Sequence, residues 1–291
     1  MNKKTSQPID LTLPAFEVDM GGISVLQPLP TANVQQIDPF LLLHHHASVL
    51  PAGHRVSDLG IGPHPHRGFS PVTFVFKGEV HHRDSRQNSS IVKAGGVQWM
   101  NAGMGIIHSE RPSKAFAENG GEQEIIQLWI NTPAAKKMDQ PKYFALQKED
   151  MPKVEGVTGD VRVVAGNFAN QQGPAKTDSP IIALMGEMAA QDEIQFEKAD
   201  GDHAILYVLS GSGFLSGFGL VEEKTLYSFS SHEVFSTLKA TADLRFIFLS
   251  AQPINEKVEH YGPFVMNNQT QIMEAMRDYQ MGKMGFLVEE F

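Results

Sequence analysis

Cysteine is absent from this chain of 291 residues. Its absence excludes disulfides, zinc ribbons, iron–sulfur clusters and a cysteine nucleophile, so any bound metal must use nitrogen and oxygen ligands. The sequence also lacks an apolar run near the roughly 18 residues that a membrane helix needs. Its N-terminus has no apolar core typical of a secretory signal. We therefore expect a cytoplasmic protein without a membrane partner.

Positive charge is scarce. There are 24 Lys and Arg against 33 Asp and Glu, a formal net charge of −9. The only adjacent basic pairs are Lys3-Lys4 and Lys136-Lys137. A duplex-binding surface needs clustered Lys and Arg, so this balance argues against direct nucleic-acid binding and is compatible with a protein partner.

Short apolar runs, separated by glycine and proline, predict an all-β fold. They are rich in β-branched and aromatic residues, which is typical of antiparallel sandwiches and barrels. In the first half of the chain the runs lie at 72–76, 79–83, 91–92, 97–100, 106–107 and 125–131. Residues 131–152 contain three prolines and are predicted to form a connector.

The strand pattern resumes after the connector, with runs at 161–164, 181–185, 205–209, 214–218, 226–229 and 244–249. We therefore predict two β-barrels of similar size, one over residues 1–148 and one over residues 149–291. Helical spacing of Ile272, Met276 and Tyr279 predicts a C-terminal helix over 270–281, capped by Asn268 or Thr270. We expect that apolar face to pack on the second barrel.

Histidines are concentrated in one part of the chain, between positions 44 and 108. Nine of the twelve fall there, namely His44, His45, His46, His54, His64, His66, His81, His82 and His108. Within this region His64 and His66 are two residues apart, and His108 is two residues before Glu110, which lies just outside it. Side chains at i and i+2 of a strand share a face, so neighbouring strands would bring three imidazoles and one carboxylate together. Such a set suits Fe(II), Mn(II), Ni(II) or Cu(II), and less distinctively Zn(II).

Several longer motifs resemble the pirin family. They are H-P-H-R-G-F at 64–69, G-E-V-x-H-R-D-S at 78–85, G-x-V-Q-W-M-x-A-G-x-G-I-x-H-S-E at 95–110, Q-L-W-I-N-x-P at 127–133, D-P-F-L-L-L at 38–43, Y-G-P-F-V-M-N at 261–267 and R-D-Y-Q at 277–280. The resemblance covers most of the chain. It implies a bicupin, two tandem antiparallel cupin barrels, with one divalent metal in the N-terminal barrel only. The family's metal, usually iron, is implied to bind His64, His66, His108 and Glu110.

The resemblance also implies two classes of function. Some members oxidise flavonols such as quercetin with dioxygen, which makes a metal-dependent dioxygenase of a flavonol-like aromatic the first hypothesis. Glu110 is then the candidate catalytic base that takes a substrate proton. The alternative is a non-catalytic, iron-containing redox sensor that binds a protein partner such as a transcription factor. A zinc-dependent isomerase or epimerase is a third hypothesis. The dioxygenase and redox-sensor hypotheses require the same four metal ligands.

The sequence departs from the family pattern in two places. Ser70 stands where members commonly have Glu, and His44, His45 and His46 follow D-P-F-L-L-L where many members have acidic residues. The three histidines could line the entrance to the site, or lie at a strand end or in a loop with mixed facing.

The remaining polar candidates receive structural interpretations. We expect His54 at the surface and Arg67 in a structural ion pair. One of His81 and His82 should be buried and hydrogen-bonded. His203, His232 and His260 are too scattered to form a second metal site, so the second barrel is expected to be metal-free.

Overall fold

The computed structural model of the chain describes residues 8–290, so the basic pair Lys3-Lys4 lies outside the described residues. The strands, in chain order, are β1 (Ile9–Pro14), β2 (Phe16–Asp19), β3 (Ser24–Leu29), β4 (Phe40–Leu50), β5 (Ile61–His66), β6 (Phe69–Lys77), β7 (Glu79–Asp84), β8 (Ser89–Lys93), β9 (Val97–Asn101), β10 (Ile106–Arg111), β11 (Gly121–Asn131), β12 (Lys142–Leu146), β13 (Asp160–Ala165), β14 (Asn167–Phe168), β15 (Gln171–Gln172), β16 (Ile181–Met188), β17 (Glu193–Glu197), β18 (His203–Ser210), β19 (Ser212–Leu215), β20 (Gly219–Glu222), β21 (Thr225–Phe229), β22 (Phe235–Ala240), β23 (Leu244–Ala251), β24 (Glu259–Tyr261) and β25 (Phe264–Met266). The helices are α1 (Lys114–Asn119) and α2 (Gln269–Gln280). The all-β prediction and the predicted C-terminal helix are confirmed.

Two compact bodies divide the chain. Among the described residues, one contains Phe40–Asp150 together with residues 254–290, and the other contains Met151–Pro253 together with residues 8–39. The sequence-based division at 148/149 assigned each chain end to its nearer barrel, and the structure differs on both. At the N-terminal end the reason is a long-range strand pairing that sequence patterns do not reveal. Strand β1 is hydrogen-bonded to β21, with Thr12 opposite Tyr227.

The body containing Phe40–Asp150 is built on two sheets. Strands β12-β9-β6-β11-β4 are neighbours in one, and β5-β10-β7-β8 form the other. Side chains from both sheets meet in the interior, where Glu110 on β10 is hydrogen-bonded to Thr73 on β6. Gly68 makes the turn between β5 and β6 at φ +84°, and a Cβ there would collide with the carbonyl oxygen of Val265. Glycine is therefore required two residues after the H-P-H segment.

The body containing Met151–Pro253 has sheets β1-β21-β18-β23-β16-β13 and β17-β22-β19-β20. Its interior is filled by aromatic side chains. The ring of Phe196 stacks on Phe248 with centroids 4.2 Å apart and meets Phe246 edge-on at 5.7 Å. This barrel therefore has an apolar interior of packed rings.

Helix α2 packs differently from the prediction. Asn268 caps its start by accepting a hydrogen bond from the backbone N–H of Gln271 at 3.0 Å, as expected. Its buried residues Ile272 and Ala275, however, pack in one cluster with Ile107, Phe264, Met266 and Met284, all of the body that contains Phe40–Asp150. The expectation that it covers the second barrel was wrong, because the helical period identifies an apolar face without identifying what that face covers.

Strands β4 and β12 are among those that the short apolar runs did not indicate. The histidine run 44–46 lies in the middle of the eleven-residue strand β4, which pairs with β11. Residues 142–146 of the predicted connector form β12 and pair with β9. None of the helices among residues 8–290 has the length and apolarity to cross a membrane.

Candidate metal centre

His64, His66 and His108 come together, as predicted from strand spacing. Strands β5 and β10 are antiparallel neighbours, with His108 directly opposite His64. Each residue offers one ring nitrogen to a group whose members all lie within 4.8 Å of one another. His66 and His108 are buried, and His64 is partly exposed. Three imidazoles from two strands thus surround one point inside the barrel.

The ring nitrogens are oriented as metal ligands require. His64 Nδ1 lies 2.8 Å from the carbonyl oxygen of Gly62 and must donate to it, which leaves the lone pair on Nε2. That Nε2 lies 3.1 Å from His66 Nε2. His108 Nε2 is buried without a hydrogen-bond partner among the described residues. A divalent cation would satisfy all three atoms, so the residues present fit a bound metal.

Protonation also favours metal binding at neutral pH. Burial, together with the neighbouring His64, holds the pKa of both the His66 and His108 rings well below the usual range. Neutral imidazole is the form that ligates metals. The buried rings therefore present lone pairs without competition from protons.

Glu110 lies in the same interior, where it accepts hydrogen bonds from the facing sheet. Its Oε1 accepts from Thr73 Oγ1 at 2.9 Å and from Gln98 Nε2 in a short contact, and its Oε2 accepts from Gln127 Nε2 at 2.9 Å. A carboxylate offers about four lone-pair sites, two on each oxygen. These bonds occupy both sites on Oε1 and one on Oε2. One site on Oε2 stays available for a metal or a proton.

The residues that hold Glu110 belong to one row across the sheet. Gln127 lies opposite His44 on one side and Thr73 on the other, and Thr73 lies opposite Gln98. Directly opposite residues point to the same face of a sheet, so all four side chains face the interior. The sequence analysis did not identify Thr73, Gln98 and Gln127. Their common feature, uncharged hydrogen-bonding side chains within otherwise apolar strands, was the available indication.

The row also contains His44, whose protonation makes the stability of the protein depend on pH. Burial lowers its pKa from 6.5 to about 4. The unfolded chain therefore binds a proton more readily than the folded one, and stability is fully present above about pH 6.5 and is lost as the pH falls toward 4. A shift of this size corresponds to about 3 kcal/mol of unfolding free energy at the acid end.

We expect His44→Leu to flatten the acid limb of the stability profile. Urea unfolding of metal-free protein at pH 7.5 and pH 4.5 should show a smaller loss of unfolding free energy in His44→Leu than in the wild type. His54→Leu is the matched control, since His54 is exposed. An acid-induced loss in His44→Leu equal to that of the wild type would contradict the prediction.

An aromatic wall lies beside the histidines. The ring of His66 is 5.0 Å from Phe69 and 5.5 Å from Trp129, centroid to centroid. Trp129 is partly exposed and also lies 4.3 Å from Phe69 and 5.8 Å from His260. Phe69 is fully buried, so of these two rings only Trp129 presents accessible aromatic surface beside the histidines.

Known proteins share both the sequence and the fold. The Pirin family model matches residues 22–130, and the model of the Pirin C-terminal cupin domain matches residues 183–285. The "Pirin-like protein" of Solanum lycopersicum is 35% identical over 91% of this chain and 88% of its own length. The chain belongs to the pirin family.

Other members of the family are similar over nearly the whole chain. A protein of Pseudomonas aeruginosa named "Putative quercetin 2,3-dioxygenase" is 37% identical, covering 86% of this chain and 87% of its own. The crystal structure of quercetin 2,3-dioxygenase from Acinetobacter baumannii matches with a TM-score of 0.88 at 35% identity, covering 96% of this chain and 99% of that chain. The predicted bicupin fold, two tandem cupin barrels with a C-terminal helix, is confirmed.

The two departures from the family pattern have different surroundings. Ser70 is buried and donates to Asn101 Oδ1 at 3.0 Å, on the face of β6 opposite to Thr73. It therefore does not alter the hydrogen bonds of Glu110. In β4, His44 faces the interior row, whereas His45 points to the other face and pairs with Glu124 at 3.1 Å. Only His44 of the two is placed near the site.

The structural interpretations of other residues agree with the structure. Arg67 is buried and its guanidinium pairs with Asp278 at 3.1 Å, as predicted. His54 is exposed, also as predicted. His82 is fully buried and hydrogen-bonded, while His81 is partly exposed and contacts Ser89 Oγ at 3.0 Å. His260 lies beside Trp129, nearer the candidate site than its position in the sequence indicated.

Proposed function

We propose that this pirin is a metal-dependent dioxygenase that oxidises a flavonol-like aromatic, with iron as the preferred metal. The observation that carries the proposal is the convergence of the His64, His66 and His108 ring nitrogens, which all lie within 4.8 Å of one another. Glu110 lies outside that group, two residues after His108 on β10, and is included as the fourth ligand by proposal. The names of two similar proteins, from Pseudomonas aeruginosa and Acinetobacter baumannii, support the substrate class.

The proposed ligands are the three histidines and Glu110 Oε2. Fe(II) bound there would supply Lewis acidity and access to dioxygen, and Mn, Ni, Cu or Zn could occupy the same donor set. The three hydrogen bonds to Glu110 hold the carboxylate and leave one lone-pair site on Oε2, which the proposal assigns to the metal. A donor set fixed in this way needs little rearrangement on binding.

The chain's own residues perform three tasks in this proposal. Trp129, which packs on the fully buried ring of Phe69, provides flat surface for the substrate rings. Glu110 takes the proton of a flavonol hydroxyl through the same Oε2 site, in the state in which that oxygen is not bound to the metal, since an ionised carboxylate is an effective base when it lies within hydrogen-bond reach. Burial of His66, His108 and Glu110 limits the access of water to the reacting atoms.

Dioxygen uptake tests the proposal. Protein loaded anaerobically with Fe(II) should consume dioxygen in the presence of flavonols and not in the presence of flavones, which lack the 3-hydroxyl group. A flavone is the matched control because it has the same rings without the proton that Glu110 would take. An absence of uptake across a flavonol panel, with a full complement of iron, would contradict the proposed substrate class.

A further inference from the structure

A buried chain of side chains leads from the candidate metal centre to a carboxylate on the neighbouring strand. Strands β10 and β7 pair with His108 opposite Asp84 and Glu110 opposite His82. His82 Nδ1 lies 3.3 Å from His108 Nδ1, and His82 Nε2 lies 3.1 Å from Asp84 Oδ2. The three residues are between 0 and 3% exposed. Neither His82 nor Asp84 has a part in the function proposed above.

The carboxylate end of this chain is held in place by three donors besides His82. Asp84 Oδ1 accepts from the backbone N–H groups of Arg86 at 2.8 Å and Asn88 at 3.0 Å, and Oδ2 accepts from the Asn88 side chain at 2.7 Å. Burial raises the pKa of Asp84, but the hydrogen bonds from His82 and Asn88 outweigh it, so the net pKa is lowered. Asp84 is therefore an ionised acceptor.

The ionised Asp84 then fixes which atom donates in each hydrogen bond of the series Asp84, His82 and His108. An ionised carboxylate only accepts, so His82 must carry its proton on Nε2. A neutral His82 consequently has a lone pair on Nδ1, and this lone pair accepts from His108 Nδ1–H. His108 then has its own lone pair on Nε2, the buried atom that finds no hydrogen-bond partner among residues 8–290. The opposite tautomer of His108 would put a proton where the metal binds.

The ring of His82 is also fixed in orientation. Tyr143 stacks on it with centroids 3.8 Å apart and an interplanar angle of 8°. The Tyr143 hydroxyl is itself hydrogen-bonded to Ser90 Oγ at 2.7 Å. Packing thus prevents the ring from turning away from His108.

We propose that His82 and Asp84 are positioning residues that set the tautomer of His108 and so prepare its Nε2 as a metal ligand. The proposal rests on the metal centre of the proposed function and adds the residues that make one of its ligands competent. Outer hydrogen-bond partners of metal-bound histidines typically change metal affinity by about 10–100-fold when they are lost.

The variants that test the proposal and their control are substitutions of neighbouring residues on strand β7. In His82→Leu the acceptor for His108 Nδ1–H is lost. In His82→Asn the side-chain oxygen lies close to the position of the original Nδ1 and can accept the same bond. His81→Leu is the control, since His81 is adjacent but points to the opposite face of β7 and contacts Ser89.

Fe(II) affinity, measured anaerobically by competition with a chromophoric chelator, should fall about 10–100-fold in His82→Leu. It should recover at least partly in His82→Asn and be unchanged in His81→Leu. Equal affinities for His82→Leu and His81→Leu would overturn the proposal. Because this readout is binding, a wild-type protein that binds Fe(II) but consumes no dioxygen would overturn the proposed function alone.

The tautomer is measured independently of any variant. Two-bond ¹⁵N–¹H correlation spectra of the metal-free wild-type protein, labelled at histidine, distinguish a proton on Nδ1 from one on Nε2. We expect His108 to be protonated on Nδ1 and His82 on Nε2. A His108 proton on Nε2 would overturn the proposal even if the His82 variants failed to fold.

Discussion

We expect metal binding to collapse in His66→Ala, and the proposed dioxygen turnover to be lost with it. His66 Nε2 lies 3.1 Å from His64 Nε2, and its removal leaves two histidine nitrogens where three converged. We expect the loss of Fe(II) affinity to exceed the roughly 10–100-fold that removal of an outer hydrogen-bond partner costs. Metal content after dialysis and chelator competition measure the effect.

The control for this variant is His54→Ala, because His54 is exposed and lies in a loop. His66 also packs against Phe69 and Trp129, so the truncation leaves a cavity and lowers stability. His64→Ala removes a proposed ligand at a partly exposed position. It therefore separates the loss of a metal ligand from the loss of packing. Wild-type iron content in both His66→Ala and His64→Ala would show that the metal binds elsewhere.

Glu110→Gln should retain part of the iron but lose turnover by about 10²-fold or more, the usual contribution of a general base. The amide has nearly the same shape as the carboxylate, and an amide oxygen can still accept from Thr73 and Gln98. Gln127 can turn its own amide to accept from the new NH₂ group. The fold is therefore preserved while the basic group is removed.

Steady-state kinetics and iron content, measured on the same preparation, test this expectation. Unchanged turnover would eliminate Glu110 as the base. A variant with no iron, like His66→Ala, would show instead that the carboxylate contributes mainly as a ligand. Gln127→Leu is an informative companion because it removes one donor to Oε2 and leaves the carboxylate itself.

Strand alternation predicted much of the site from the sequence. The i, i+2 spacing placed His64 with His66 and His108 with Glu110, and the resemblance indicated that the two strands meet. The same spacing also relates His82 and Asp84, but only the pairing of β7 with β10 connects this pair to the other two. Three such pairs face one interior.

Other features depended on contacts that sequence patterns do not encode. The row that holds Glu110 is assembled from β6, β9 and β11, whose register no local pattern specifies. Strand β4 was missed because three consecutive histidines interrupt an otherwise apolar run, and its pairing along the full length of β11 outweighs their weak preference for strands. Helix α2 was predicted, but its packing against Ile107 is a long-range contact.

The origin of the oxygen atoms in the product tests the central claim most directly. Iron-loaded protein should be mixed with quercetin under ¹⁸O₂ in a single turnover, and the products analysed by mass spectrometry. A dioxygenase predicts two ¹⁸O atoms incorporated for each flavonol consumed, with none in His66→Ala. Fully metallated protein that leaves quercetin unchanged and consumes no ¹⁸O₂ would contradict the account and favour the non-catalytic, redox-sensing alternative.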